Sequence, residues 1–206
     1  MITASDAASA IGDNHYESVD SFIKKKVLRT KWGGNEATAH GTLLEPFVRD
    51  LYDKKFGKTT TEIGLVQHPE YPFLGGSADG ITDDGILLEI KCPLTRKIES
   101  KVPKYYIPQI QLLLEILDFE DCDFVQYRPA SECKPEEFVV VRVTRNRAWF
   151  QQALPKLQAA WERILKGRGH GLCELENDPE PYIKKSVVCK LIKDARLSPQ
   201  IEDSQM

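Results

Sequence analysis

The sequence predicts a mixed α/β fold built on one central sheet. Two observations carry this. Apolar residues recur at helical spacing through Leu44, Phe47, Val48, Leu51, Tyr52 and Phe56, and again through Trp149, Leu154, Leu157, Trp161, Ile164 and Leu165. Between these stripes lie short runs rich in β-branched and aromatic residues, bounded by Gly, Pro, Asp and Ser. The expected order is helices, helix, three strands, helix, two strands, helix.

Taken in order, Thr3–Ile11 and Ser18–Arg29 read as short helices. "KWGGNEATAHG" reads as loop, punctuated by Gly33-Gly34. A helix follows over Thr42–Phe56, closed by Gly57. "TEIGLVQHP" is a strand, and two more strands flank the turn in "ADGITDDGILLEIK". A helix over Pro103–Leu117 must start or kink at Pro108, whose missing N–H cannot serve a helix interior. "CDFVQYRP" and "EEFVVVRVT" are strands, and Arg145–Lys166 is a long helix. The texture changes after Gly167. Residues 1–166 are therefore assigned to one domain, and 167–206 to an extension made of a linker and a short amphipathic helix around Ile183–Ile192.

Composition narrows the class. The chain has 206 residues, 41% hydrophobic and 29% charged, enough for one domain with a real core. No apolar run reaches the ~18 residues of a membrane span, and the N-terminus is no signal peptide. The expectation is an intracellular protein outside any membrane. The five cysteines are scattered, with no C-x-x-C pair, and the four histidines are isolated, so no zinc or iron–sulfur site is expected. A net charge of −3 gives no general basic surface for nucleic acid. The local clusters at Lys24–Lys31, Arg96–Lys104 and Arg142–Arg147 each suit a solvated face as well.

The charged hairpin is the informative stretch. Asp83-Asp84-Gly85 suits a three-residue loop that ends in a left-handed glycine. Thr82 then faces Ile86, and Asp79 falls opposite Glu89. Directly opposed residues have Cβ atoms about 5 Å apart, a poor distance for two bare carboxylates but a good one for a shared cation. Strand alternation puts Lys91 on the same face as Glu89, roughly 6.6 Å along. Ile86, Leu88 and Ile90 should point to the other face, into the core. Asp79, Glu89 and the Ile90 carbonyl make an oxygen-rich half-site of the kind hard divalent metals take. Lys91 beside it would orient or deprotonate a water, and a second metal would stabilise a leaving oxygen. The alternative is a plain surface hairpin with a Glu–Lys pair.

Four local patterns, in order between Ile2 and Gln111, resemble the lambda-exonuclease / YqaJ-like viral recombinase family of the PD-(D/E)xK nuclease superfamily. "GTLLEPF" resembles its G-x-x-x-E-P helix, "GGSADGI" its S-x-D-G strand, "LLEIKCP" its L-E-(I/L)-K-C-P strand, and "YYIPQIQ" its Y-x-x-Q-(I/V/L)-Q helix. The resemblance implies a restriction-endonuclease-like core, with a central mixed sheet of about five strands flanked by helices. It implies that Asp79, Glu89 and the Ile90 carbonyl bind Mg²⁺, for which Mn²⁺ substitutes. Glu45 would complete the shell of a second ion, Lys91 would position the attacking water, and Gln109 would support Lys91 and the phosphate. Glu45 also reads as a solvated helix position, and Gln109 and Gln111 as a polar helix edge. "ITASD" resembles the segment whose serine helps hold a 5′-phosphate, which assigns Ser5 to substrate binding, as the "YYIPQIQ" helix does Gln111; Ser5 also reads as a helix N-cap. The family's usual arginine ahead of that serine has no counterpart before Ser5.

The implied activity is a metal-dependent deoxyribonuclease, most simply a 5′→3′ exonuclease on double-stranded DNA ends in recombination or replication. The rivals are a structure-specific or nicking endonuclease of the same superfamily, and a non-catalytic DNA-binding module. The implied partners are DNA, further copies of the chain in a trimer, and a single-strand annealing protein.

Overall fold

A computed structural model describes residues 1–29 and 36–169. Its element order is β1 (Ile2–Thr3), α1 (Ala7–Ile11), α2 (Val19–Val27), α3 (Glu36–Phe56), β2 (Thr60–Thr61), β3 (Val66–Gln67), β4 (Leu74–Gly76), β5 (Gly80–Thr82), β6 (Leu87–Lys91), α4 (Ile107–Leu117), β7 (Asp121–Arg128), β8 (Glu137–Thr144) and α5 (Arg147–Gly169). The main sheet has five strands in the order β2-β5-β6-β7-β8. Within this sheet the β6–β7 pair alone is parallel, and α4 makes the crossover between them, as a parallel connection requires. The fold is thus mixed α/β, a five-stranded mixed sheet flanked by helices. No described helix is long and apolar enough to cross a membrane.

Several expected elements change on folding. Thr3, expected to open a helix, is instead the end of a strand, because Ile2–Thr3 pairs in parallel with Leu74–Gly75. Helix α3 begins at Glu36 and not Thr42; its first turns are mostly exposed and so carry no apolar stripe to reveal them. The run "TEIGLVQHP" is not one strand. Thr60–Thr61 pairs with β5, whereas Val66–Gln67 pairs with β4 in a separate three-stranded sheet, β1-β4-β3. Pro108 sits in the first turn of α4, where its missing N–H costs no bond. Helix α5 runs on to Gly169, and Leu165, expected in its core face, is 49% exposed. Gly33-Gly34 and the extension from residue 170 onward lie outside the described residues.

The sheet is covered on both faces. On one, Leu87, Cys122 and Phe124 join Ile11, Phe22, Leu113, Phe150 and Leu157 from the packed helices α1, α2, α4 and α5. On the other, Leu88, Ile90, Val125 and Tyr127 meet Val48 and Tyr52 of α3 alone among the described helices. Asp123 on that second face is buried, and is held by the Tyr52 hydroxyl at 2.6 Å and by Arg142.

The small sheet closes tightly on α4. A Cβ added at Gly76 would stand 2.7 Å from Leu113 Cδ2 and 3.1 Å from Ala4 Cβ. Gly76→Ala therefore overpacks the core, with an expected loss of about 1–3 kcal/mol. For a chain of this size that is a fall of roughly 3–10 °C in melting temperature. An unchanged melting curve would show that α4 yields freely at this contact.

Candidate functional site

The hairpin forms as its turn chemistry dictates. Gly85 takes φ +84°, the Gly85 amide donates to the Thr82 carbonyl at 2.9 Å, and the Thr82 amide donates to the Ile86 carbonyl at 2.9 Å. Gly80 pairs with Leu88 and Ile81 with Leu87, so the same register sets Asp79 opposite Glu89. The Asp79 amide donates to the Leu88 carbonyl at 3.1 Å. Its carboxylate reaches across to accept the Ile90 amide at 2.6 Å. One backbone bond and one side-chain bond thus fix Asp79 against β6.

The shared face is not open, contrary to the simple reading of the hairpin. Glu89 is 0% exposed, because α4 lies over it. Its Oε1 accepts from Gln109 Nε2 at 2.5 Å and from Lys91 Nζ. Its Oε2 is buried and has no hydrogen-bond partner among the described residues. A buried oxygen of a carboxylate left unpaired carries a desolvation cost of roughly 1–3 kcal/mol or more. Burial pushes the Glu89 carboxyl above its ordinary range, Lys91 opposes that, and the charges of Asp79 and Glu45 add to it. Burial works against the Lys91 ammonium, but the Glu89 and Asp79 carboxylates outweigh it and hold the pKa above that of a free lysine.

A cleft of about 490 Å³ opens at the end of β6. Its walls come from the N-terminal half of α3, the Cys92–Arg96 loop, Tyr16 and the Tyr105–Tyr106 turn. Glu45, Asp79, Ile90 and Lys91 all line it, while Glu89 is outside the lining and bonded to Lys91. Glu45 also pairs with Arg49 one turn along α3, at 3.2 Å, and Arg49 in turn holds Glu62 at 2.8 Å. Burial first, and Asp79 second, push the Glu45 carboxyl up, with Arg49 pulling it back. Arg49 is a site residue that composition did not mark; its spacing of four from Glu45 was the available signal.

Two expected substrate contacts lie elsewhere. Gln111 is 5% exposed, and its carboxamide is used inside the protein, donating to the Thr144 carbonyl at 3.0 Å and accepting the Asn146 amide at 2.7 Å. It ties α4 to the start of α5 and does not line the cleft. Ser5 is exposed on a short 3-10 turn, with Oγ 3.1 Å from the Thr3 hydroxyl, and it too lies outside the cleft walls. Nor is Ser5 the cap of that turn: the Asp6 carboxylate accepts the Thr3 amide at 2.9 Å and the Thr3 hydroxyl at 2.6 Å.

Among the described residues no group of three or more His, Cys, Asp or Glu side chains is drawn together closely enough to hold a metal ion. The donor set is smaller: two carboxylates and a main-chain carbonyl, all oxygen. That suits Mg²⁺, which keeps several waters and binds through one or two carboxylates plus substrate phosphate. The unpartnered Glu89 Oε2 is the observation that fits a cation at this place.

A family model described as the YqaJ-like viral recombinase domain matches residues 1–120. Among curated proteins, one from Acanthamoeba polyphaga mimivirus is 30% identical, over 50% of this chain and 21% of its own length. One from African swine fever virus is 31% identical, over 54% of this chain and 41% of its own. The chain thus spans well under half the length of these relatives. Among solved structures, the alkaline exonuclease LHK-Exo of Laribacter hongkongensis superposes with a TM-score of 0.67 at 29% identity, covering 84% of this chain and 94% of that one. The same exonuclease in complex with dAMP gives 0.68 at 29%, covering 82% and 90%. A phage-related exonuclease from Haemophilus somnus shares the fold, with a TM-score of 0.64 at 14% identity and 80% and 93% coverage.

Proposed function

Because the chain belongs to the YqaJ-like viral recombinase domain family, we propose that it is a divalent-metal-dependent deoxyribonuclease that digests double-stranded DNA from its ends in the 5′→3′ direction. The observation that carries the reading is the buried carboxylate of Glu89. One of its oxygens is spent on Lys91 and Gln109 and the other is buried and unpartnered, next along β6 to Ile90 and Lys91, which line the cleft with Asp79.

Asp79, Glu89 and the Ile90 carbonyl would hold Mg²⁺ or Mn²⁺, and Glu45 would contribute to a second ion. Bound there, the metal supplies Lewis acidity toward a phosphate oxygen and a water of lowered pKa. Lys91, held as an ammonium by its two carboxylate neighbours, orients the attacking water and offsets charge on the phosphate. Gln109 fixes the Glu89 carboxylate through its 2.5 Å bond, and so sets the direction in which Oε2 faces. Arg49 keeps Glu45 from swinging freely into the cleft.

The test is digestion of linear duplex and of covalently closed circular plasmid in Mg²⁺, with and without EDTA. The expected result is loss of the linear DNA, survival of the circle, and no digestion in EDTA. Cutting of the circle would replace this reading with an endonuclease, and inertness toward both would replace it with a binding module. Ends bearing a 5′-phosphate, a 5′-hydroxyl or a block then report polarity. Light scattering reports whether processive digestion goes with a trimer.

A further inference from the structure

The cleft continues beyond Lys91 into a wall of aromatic rings that the proposed hydrolysis does not use. Tyr16, in the turn between α1 and α2, is 75% exposed and lines the cleft. A lone exposed aromatic needs no explanation. Tyr16 is not alone. Its ring centroid stands 3.7 Å from that of His15 and 5.7 Å from that of Tyr105. Tyr105 stands 4.5 Å from Tyr106, and Tyr106 stands 5.4 Å from Phe124, which is fully buried. A chain of tilted and edge-on rings therefore runs from solvent to the core, and it holds the outermost ring on a rigid base.

The charges along this wall complete the pattern. Lys91 Nζ lies 5.5 Å from the Tyr106 ring centroid, and the Arg96 guanidinium carbon lies 5.9 Å from it. Arg96 is anchored through Nη1 to the Gln126 side chain and the Lys97 carbonyl, each at 2.9 Å. Gln126 is itself fully buried and donates to the Glu99 carbonyl at 2.8 Å. The second terminal nitrogen of Arg96 is buried and has no acceptor among the described residues, while the rest of the side chain lines the cleft. Cations set against rings, beside an exposed ring, match the alternation of phosphate and base along one strand of nucleic acid.

We propose that Tyr16, backed by His15 and Tyr105, stacks on the terminal nucleobase of the substrate strand, next to the phosphodiester that Lys91 and Arg96 face. A base inside a duplex offers no free face to Tyr16, so the ring takes a terminal base, whose outer face is open. The inference rests on the nuclease reading above and names the part of the substrate that reading leaves open.

The experiment uses the full chain in EDTA, where binding is read without cleavage. The probes are DNA hairpins ending in 2-aminopurine or in an abasic nucleotide. The expected result is that wild-type protein quenches the 2-aminopurine, and that Tyr16→Ala binds about 5–150-fold more weakly, the equivalent of one stacked base. Tyr16→Trp should restore binding, and the abasic hairpin should erase the difference between wild type and Tyr16→Ala. In Mg²⁺ the Tyr16→Ala variant should show a raised KM at nearly constant kcat. Equal losses on the 2-aminopurine and abasic hairpins would overturn the stacking role, as would normal digestion with no dependence on Tyr16. Base-dependent binding through Tyr16 without digestion in Mg²⁺ would instead keep the platform and remove the nuclease. Failure of the wild-type protein to bind either hairpin would overturn both.

Discussion

Glu89→Gln is expected to lower DNA hydrolysis by about 10³-fold or more, because an ion holding the reacting phosphate contributes several kcal/mol and each 1.4 kcal/mol is a factor of ten. The substitution keeps the shape of the side chain and an acceptor for Lys91 and Gln109, so the fold should survive. Its second readout does not depend on activity. Mg²⁺ or Mn²⁺ should raise the melting temperature of the wild-type protein, since a ligand that binds only the folded state stabilises it. That rise should vanish in Glu89→Gln. Cation stabilisation that persists in the variant would place the ion somewhere other than the buried carboxylate.

Phe124→Ala is expected to cost about 3–5 kcal/mol, the usual range for removing a fully buried aromatic side chain. Domains of this kind are stable by about 5–15 kcal/mol in all, so much of the folded population is at stake. Phe124 is 0% exposed, sits beside Glu89 in the parallel register of β6 and β7, and backs Tyr106. Urea unfolding measures the first effect. The protein that still folds should also digest DNA more slowly, because Tyr106 lies under Lys91. A loss below about 1 kcal/mol would mean that neighbouring side chains collapse into the space.

The hairpin was legible because two local rules agree there: Asp83-Asp84-Gly85 sets the loop, and strand alternation then pairs Asp79 with Glu89. Its depth was not legible. Alternation reads a charged face as a wet one, and nothing local to "LLEIK" tells that Gln109 of α4 will lie across it. The small sheet escaped for a related reason. Leu74–Gly76 carries two glycines and little strand propensity, yet it pairs with both β1 and β3 and packs so closely on α4 and Ala4 that a side chain at residue 76 would clash. Gln111 differs from the motif's suggestion in another way. It stands in a pattern shared with nucleases, yet its amide closes the junction of β8 and α5. Arg49, Arg96 and Tyr16 were visible as residues, but only the folded chain brings Arg96 and Tyr16 to one cleft and sets Arg49 against its Glu45.

The unequal covering of the sheet has a consequence for how the molecule breathes. Glu45 rides on α3, the one described helix over the smaller apolar cluster, while the other helices brace one another on the far face. Amide hydrogens of α3 should therefore exchange with solvent through partial openings that leave α4 and α5 protected. Such an opening would carry away one wall of the cleft and its carboxylate while the rest of the chain stayed native. Inactivation on warming would then precede the cooperative melt, and it would reverse on cooling.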